Sequence, residues 1–476
     1  MTTPGTTIVS RSAPPSRGGV AETGTWHIAA LADRGRTTAP VLLRSLSEYD
    51  TWFGTRVSYG QRDAVETFFR NGGTQVNMVR IVGPAATKAT IAMNGAAAAA
   101  SLAIDSIGAG ASTLSVSVEV SGSTFVLKVW EGATLLKTSP PFSSTADAVN
   151  WTTDNPYVAV RATGAALPIV GGPTALAGGT DDRAAVTDAH RLTALNLITK
   201  NYGSGQVSIP GATTSAAHIG VALHAAANNR FAILDAPNST VKGDLTAASA
   251  AVRAGLTDAQ EAYGFLVEGW AIIPGLTSGT TRVVGPSAVV AALMSARDAL
   301  TQNPNDPAAG VNGQPSFLLG VNRPGWSDAD RLELNLAGVN VFRRIGNNER
   351  LYGYRTLVDA NGSESGWLSA ANARLRMSIT SAADVAAESF VFAQITKTKI
   401  AEYNGVLTGM LLGFYNVGAL YGDAPEDAFV VDTGTTVNTP DKIAARQLSA
   451  VVGVRMNQFA EIVYLEFVKV PVTEEL

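Results

Sequence analysis

The chain has 476 residues, 46% of them hydrophobic and only 16% charged, with a formal charge of −4 and no cysteine. That length supports several cores, the hydrophobic content argues against disorder, and so few charges mean either much buried surface or broad surfaces that meet protein. The charge balance gives no reason to expect a nucleic-acid surface. The missing cysteine excludes disulfides, thiolate metal sites and cysteine nucleophiles.

Residues 1–25 are rich in Thr, Pro, Gly and Ser. They contain no apolar stretch of the secretory type. PGTTIVS at 4–10 can form one short strand, and PPSRGG after it cannot extend the ladder. The segment reads as a strand on a tether, with a frayed terminus as the plain alternative. Residues 26–45 predict a strand, a turn at Asp33–Gly35 and a second extended piece. Ser47 followed by Asp50 marks a helix start, and a second helix runs over 63–69 with Ala64, Val65, Phe68 and Phe69 on one side. Asn71–Gly73 stops it, and 76–82 is the next strand.

Residues 88–165 change character. LSVSVEV at 114–120 and TFVLKVW at 124–130 flank a short polar turn, a hairpin signal, so 88–165 predicts a small β-rich insertion. A Gly-rich connector follows at 166–180. From 181 to 340 helices and strands alternate: a helix over 181–200 with an acidic start, a strand at 206–211, an Ala-rich helix over 215–228, a strand at 230–237, and a helix over 286–300. That order argues for a parallel or mixed sheet covered by helices. Residues 303–315 read as a surface loop. In 341–476, strands at 341–345 and 350–358 precede two helices. One carries Leu368, Ala371, Leu375 and Ile379 on a stripe; the other carries Ile400, Tyr403, Leu407, Met410, Leu411 and Phe414. AFVVD at 428–432 and EIVYLEFVKV at 461–470 are strands. The last is apolar on both faces and needs a sheet to join.

Chemistry is sparse. The four histidines are His27, His190, His218 and His224. His218 and His224 are separated on a helix by about 120°, which makes a poor metal pair. Asp181 or Asp182, His218 and Ser287 occur in the order of a subtilisin triad, yet Ser287 follows Pro286 and lacks the small residues that shape a nucleophile turn. There is no GK[ST] phosphate loop and no calcium-loop pattern. The sequence therefore predicts no catalytic, cofactor-binding or metal residues. Arg343, Arg344 and Arg350 form a small basic cluster. No apolar stretch is long enough to span a membrane as a helix.

Several motifs, in order, resemble the contractile tail sheath family of myophages and related injection systems. PGTTIVS resembles its opening arm. WHIAALADRGRTTAPVLLRSLSEYDTWFG at 26–54 and DAVETFFRNGGTQVNMVRIV at 63–82 resemble its first strand, Pro-Val, Ser-x-x-aromatic and FF-x-NGG run. GVNVFRRIGNNERLYGYRTL at 338–357 resembles its WGARTL signature, with Tyr352 for Trp and Tyr354 for Ala. Residues 271–300, 411–439 and 461–470 keep the family order.

The resemblance implies an α/β and α+β multidomain fold. Residues 1–25 would be a linking arm, and 26–87 with 341–476 a sheath core. Residues 88–165 would be the outer insertion, and 166–340 an α/β middle domain of subtilisin-like topology without catalysis. It implies intersubunit strands at Thr6, Thr7, Ile8 and Val9 and at Ile462, Val463, Tyr464, Leu465 and Phe467. The basic cluster Arg343, Arg344 and Arg350 is a candidate for facing the tube or a neighbour, with a plain solvated surface as the alternative. The implied partners are further copies in hexameric rings, the tail tube protein, and the baseplate and tail terminator proteins, in a virion tail. No direct nucleic-acid contact, membrane insertion or cofactor is implied. An enzyme on a subtilisin-like fold and a static shell remain the alternatives.

Overall fold

The structure is a computed structural model, which describes residues 23–55, 61–152, 155–322 and 325–461. Contacts gather residues 21–381 into one unit and 382 onward into another. The division falls within the helix Ala370–Glu388.

The first unit is organised by a seven-stranded sheet. Its spatial order is Val339–Asn340, Gly264–Val267, Phe231–Asp235, Gln206–Ser208, Thr25–Ala30, Gln75–Arg80 and Val41–Leu43. All neighbours are parallel except Val41–Leu43, which runs antiparallel to Gln75–Arg80 at one edge. Every residue of Thr25–Ala30 is buried. Parallel strands covered on both faces need such unbroken burial. Side chains alternate between faces. On one face Ala29, Val79, Val207, Leu234 and Leu266 share a core with Leu195, Val221 and Leu245 of the helices Asp188–Leu195, Ser215–Asn228 and Lys242–Arg253. On the other, Trp26 stacks on Phe68 of Arg62–Arg70 with ring centroids 5.1 Å apart, and its indole N–H donates to Ser208 Oγ at 2.8 Å. Helix Pro286–Thr301 packs against Arg62–Arg70 and the sheet.

This sheet joins pieces that the sequence keeps apart. The strands at 25–30, 41–43 and 75–80, expected to serve with 341–476, pair instead in one sheet with strands from 206–340. Parallel partners lie far along the chain, and local pattern does not specify them. The expected helix over 181–200 is also shorter. It spans Asp188–Leu195, capped by Thr187 with His190 reaching back to the cap, and Asp182 ahead of it is left-handed at φ 50°.

The insertion holds a three-stranded sheet (Thr90–Met93, Leu102–Ser106, Val158–Ala162) and a four-stranded one (Gly171–Ala175, Leu114–Ser121, Thr124–Glu131, Thr134–Thr138). They share a core of Leu102, Ile104, Val116, Phe125, Leu127, Phe142 and Trp151. The expected hairpin forms, turning at Gly122, whose φ of 60° suits glycine. Residues 171–175, expected to be connector, form an edge strand against Leu114–Ser121.

In the second unit, Lys397–Asn416 buries Leu407, Met410, Leu411 and Phe414 of the predicted stripe, while Ile400 and Tyr403 at its start are only half-buried. Phe429–Asp432 pairs antiparallel with Val451–Val454. Asn438 closes the connection between them: its amide donates to the carbonyls of Thr433 and Ser449 and accepts from the Ser449 N–H.

Candidate assembly surface

The residues of the hydrolase alternative do not make a reactive centre. Ser287 is fully buried at the start of Pro286–Thr301. Its hydroxyl donates to Asp235 Oδ2 at 3.0 Å and its N–H donates to Oδ1 at 2.6 Å. The N–H of Gly211 donates to Oδ2 at 2.7 Å. Asp235 ends its strand in the middle of these donors. Burial pushes its carboxyl up to about 6 against the pull of those hydrogen bonds. The ring of His218 meets the Ala212 carbonyl at 2.9 Å, and burial lowers its pKa. Asp181 lies by Arg80 and Arg183, while Asp182 accepts the Ala85 N–H. The arrangement ties two loops and a helix start to the end of a strand. A β-carbon at Gly285 would lie 2.3 Å from Asp235 Oδ2, so glycine is required there. Sequence reading missed Asp235. Its only signal was an acid closing the apolar run FAIL.

A second buried polar centre was also missed. Arg230 is completely buried and donates to the carbonyls of Ile198, Thr199 and Gly203 at 2.5, 2.6 and 2.9 Å. Its Nη1 lies 3.2 Å from His224 Nε2, and His224 Nδ1 lies 3.0 Å from Asn196 Oδ1. Burial, reinforced by Arg230, lowers the pKa of His224 to about 4 and that of His27 to about 3. Neutral imidazoles here serve as hydrogen-bonding parts of the core. Among the described residues, no group of three or more His, Cys, Asp or Glu could hold a metal ion, and no helix is long and apolar enough to cross a membrane.

The basic residues fall on one hairpin, Phe342–Ile345 with Asn348–Leu351. Arg343 and Arg350 are direct cross-strand partners, and Arg343 lies over the Tyr352 ring at 5.0 Å. Arg344, on the alternate face, pairs with Glu349 at 3.0 Å. The cluster is thus divided between the two faces. The expected intersubunit strands, Thr6–Val9 and Ile462–Phe467, lie outside the described residues.

The second unit carries the open surface. Among the described residues, no third strand joins Phe429–Asp432 and Val451–Val454. Val430 and Val451 are 62% and 58% exposed. Phe392, between the two long helices, is fully exposed and left-handed at φ 64°. A two-stranded ribbon is marginal alone, and its free edges can take further strands.

No protein-family model and no curated protein matches the chain. Solved structures do. A sheath tail protein from Listeria innocua matches at TM-score 0.63 and 12% identity, over 87% of this chain and 89% of that one. A chain of the anti-feeding prophage baseplate in its contracted state matches at 0.61 and 16%, over 98% and 97%. The sheath complex of an extracellular contractile injection system, also contracted, matches at 0.54 and 16%, over 98% of each chain. The fold is that of sheath-type subunits of contractile machines, and it extends over nearly the whole chain.

Proposed function

We propose that this chain is a structural subunit of a contractile sheath. It polymerises as stacked hexameric rings around a tail tube and shortens to drive the tube through a cell envelope for genome ejection. The observation that carries the reading is a fold likeness spanning 87–98% of this chain and most of each matched sheath protein. The open Phe429–Asp432 and Val451–Val454 ribbon supports it as the place where residues 6–9 and 462–467 of neighbouring copies add strands. Main-chain pairing of this kind links subunits without fixing the angle between rings. A few kcal/mol gained per subunit on contraction, summed over many copies, then supplies the stroke without hydrolysis.

In this scheme residues 1–25 are the linking arm, and the insertion at 88–165 lies outermost. The α/β region has a subtilisin-like topology without catalysis. The Arg343, Arg344 and Arg350 hairpin faces the tube or a neighbour. Tube, baseplate and terminator proteins are the partners, in a virion tail. Electron microscopy of the concentrated protein tests the reading. Hollow tubes in the contracted form are expected, whereas persistent monomers at high concentration defeat it. The likeness of 98% of this chain to a sheath of an extracellular contractile injection system favours a second setting, a headless injection apparatus. Particles purified from the source would decide it by the presence or absence of a DNA-filled head.

A further inference from the structure

Residues 1–22 join the described body at Thr23, and the chain then enters the centre of the sheet. Thr25 opens the strand that lies between Gln206–Ser208 and Gln75–Arg80. Gly24 packs against Pro286–Thr301 so closely that a β-carbon would come within 3.3 Å of Ser295 Oγ. Ser295 Oγ itself accepts the Thr74 N–H at 3.1 Å. One residue before Gly24, the Thr23 hydroxyl donates to Asp298 Oδ2 at 2.5 Å. Ser295 and Asp298 are three apart on the helix and so face the same way. Arg374, from Ala370–Glu388, places Nη2 on the same carboxylate oxygen at 2.5 Å. Its Nη1 donates to the Tyr354 hydroxyl at 3.2 Å and to the Pro304 carbonyl at 3.3 Å. Asp298 and Arg374 are both buried.

We infer that Thr23, Asp298 and Arg374 form a clasp that fastens the root of the N-terminal segment to two helices, so that load on that segment enters the subunit through all three elements. Apolar side chains of the same volume would fill this space at least as well, because burying an ion pair costs desolvation. The ion pair supplies what they could not, a fixed, charge-assisted acceptor for the Thr23 hydroxyl. The carboxylate is oriented by Arg374, and Arg374 is held by Tyr354 and Pro304. Without the clasp, Thr23 and Gly24 would be kept only by packing, and a pull on residues 1–22 would fray the central strand from its first residue. The mechanical role rests on the sheath reading; the clasp itself does not.

Two substitutions separate geometry from chemistry in the full-length chain. Thr23→Val keeps the shape and removes the donor, while Thr23→Ser keeps the donor. Amide hydrogen exchange should accelerate about tenfold or more at residues 24–26 in T23V, as expected for losing a hydrogen bond to a charged acceptor. T23S should match wild type, and far-UV circular dichroism should be the same in all three. Equal exchange in T23V and wild type would overturn the clasp. The chain has no cysteine, so Leu300→Cys, at an exposed position, gives a unique handle for pulling against the N-terminus. The first rupture force should fall in T23V and be kept in T23S. Accelerated exchange with an unchanged rupture force would overturn the load-carrying role and keep the clasp. Failure of the wild-type protein to form tubes would defeat the sheath reading alone, since exchange and pulling are measured on single subunits.

Discussion

The sheet of the first unit and the ribbon of the second are opposite solutions to the same problem. In the sheet, Thr25–Ala30 has a strand on either side and helices on both faces, and its polar neighbours are provided for. Arg80, fully enclosed, donates to the carbonyls of Ala32, Asp33, Gly35 and Ala109, and Arg230 does the same for a loop. In the ribbon, two four-residue strands pair only with each other among the described residues, and Val430 and Val451 are exposed. The first region completes its burial within the subunit. The second, among the described residues, leaves apolar side chains and strand edges uncovered, a feature common to interaction surfaces.

The sharpest way to break this contrast is to cut one large residue from each region. Trp26→Ala removes a fully buried ring and leaves Ser208 Oγ without its donor. It should cost about 3–5 kcal/mol in urea unfolding. Val430→Ala, in the ribbon, should stay within about 0.5 kcal/mol in the same measurement and weaken tube formation instead. Similar losses from both would erase the distinction.

Acid provides a smaller probe of the sheet region. The folded chain keeps His224 neutral down to about pH 4, whereas the unfolded chain protonates it near 6.5. Between those values the unfolded state binds a proton that the folded state refuses, so stability falls as pH drops through the window. Asp235, raised to about 6, acts with the opposite sign over its own range, but it is common to wild type and variant. His224→Gln should therefore reduce the acid-induced loss by about 1.4 kcal/mol per pH unit between roughly pH 6 and 4.5. Chemical denaturation at pH 7 and pH 5 reads the difference. Parallel pH curves for the two proteins would mean that His224 is protonated in the fold.

The smallest effect concerns Phe392. A left-handed phenylalanine with no burial gains nothing for its strain, so Phe392→Gly should raise the melting temperature slightly, by the equivalent of up to about 1 kcal/mol. A clear destabilisation would show that the ring is covered within the subunit and would narrow the contrast between the regions.

Much of the local structure is legible from residue pattern. Phe68 with Asn71–Gly73 marks the helix Arg62–Arg70 and its end, and the 407, 410, 411, 414 stripe marks the face of Lys397–Asn416. The 114–131 hairpin follows from alternation about a short turn. Helix starts are less legible. The first helix is capped by Ser45, whose side chain accepts from the Glu48 N–H, two residues before the serine the pattern favours. What the sequence hides is pairing at a distance. Nothing near Trp26 names Gln206 as its neighbour, and nothing in FAILD names Ser287 as the partner of its aspartate. The Arg343, Arg344 and Arg350 cluster is close in sequence, but strand alternation sends Arg344 to the other face.

The position of Thr25–Ala30 also has a consequence for synthesis. Trp26 and its hydrogen-bond partner Ser208 are 182 residues apart. At ~5–20 residues per second, roughly 10–40 s pass between the emergence of the two. Until then the central strand has only the strand at 75–80 beside it, itself flanked by 41–43, and its other edge is unsatisfied. Asp298 and Arg374 emerge later still. Thr23 and Thr25–Ala30 are therefore made well before the residues that fasten them, and the clasp closes only when the subunit is almost complete.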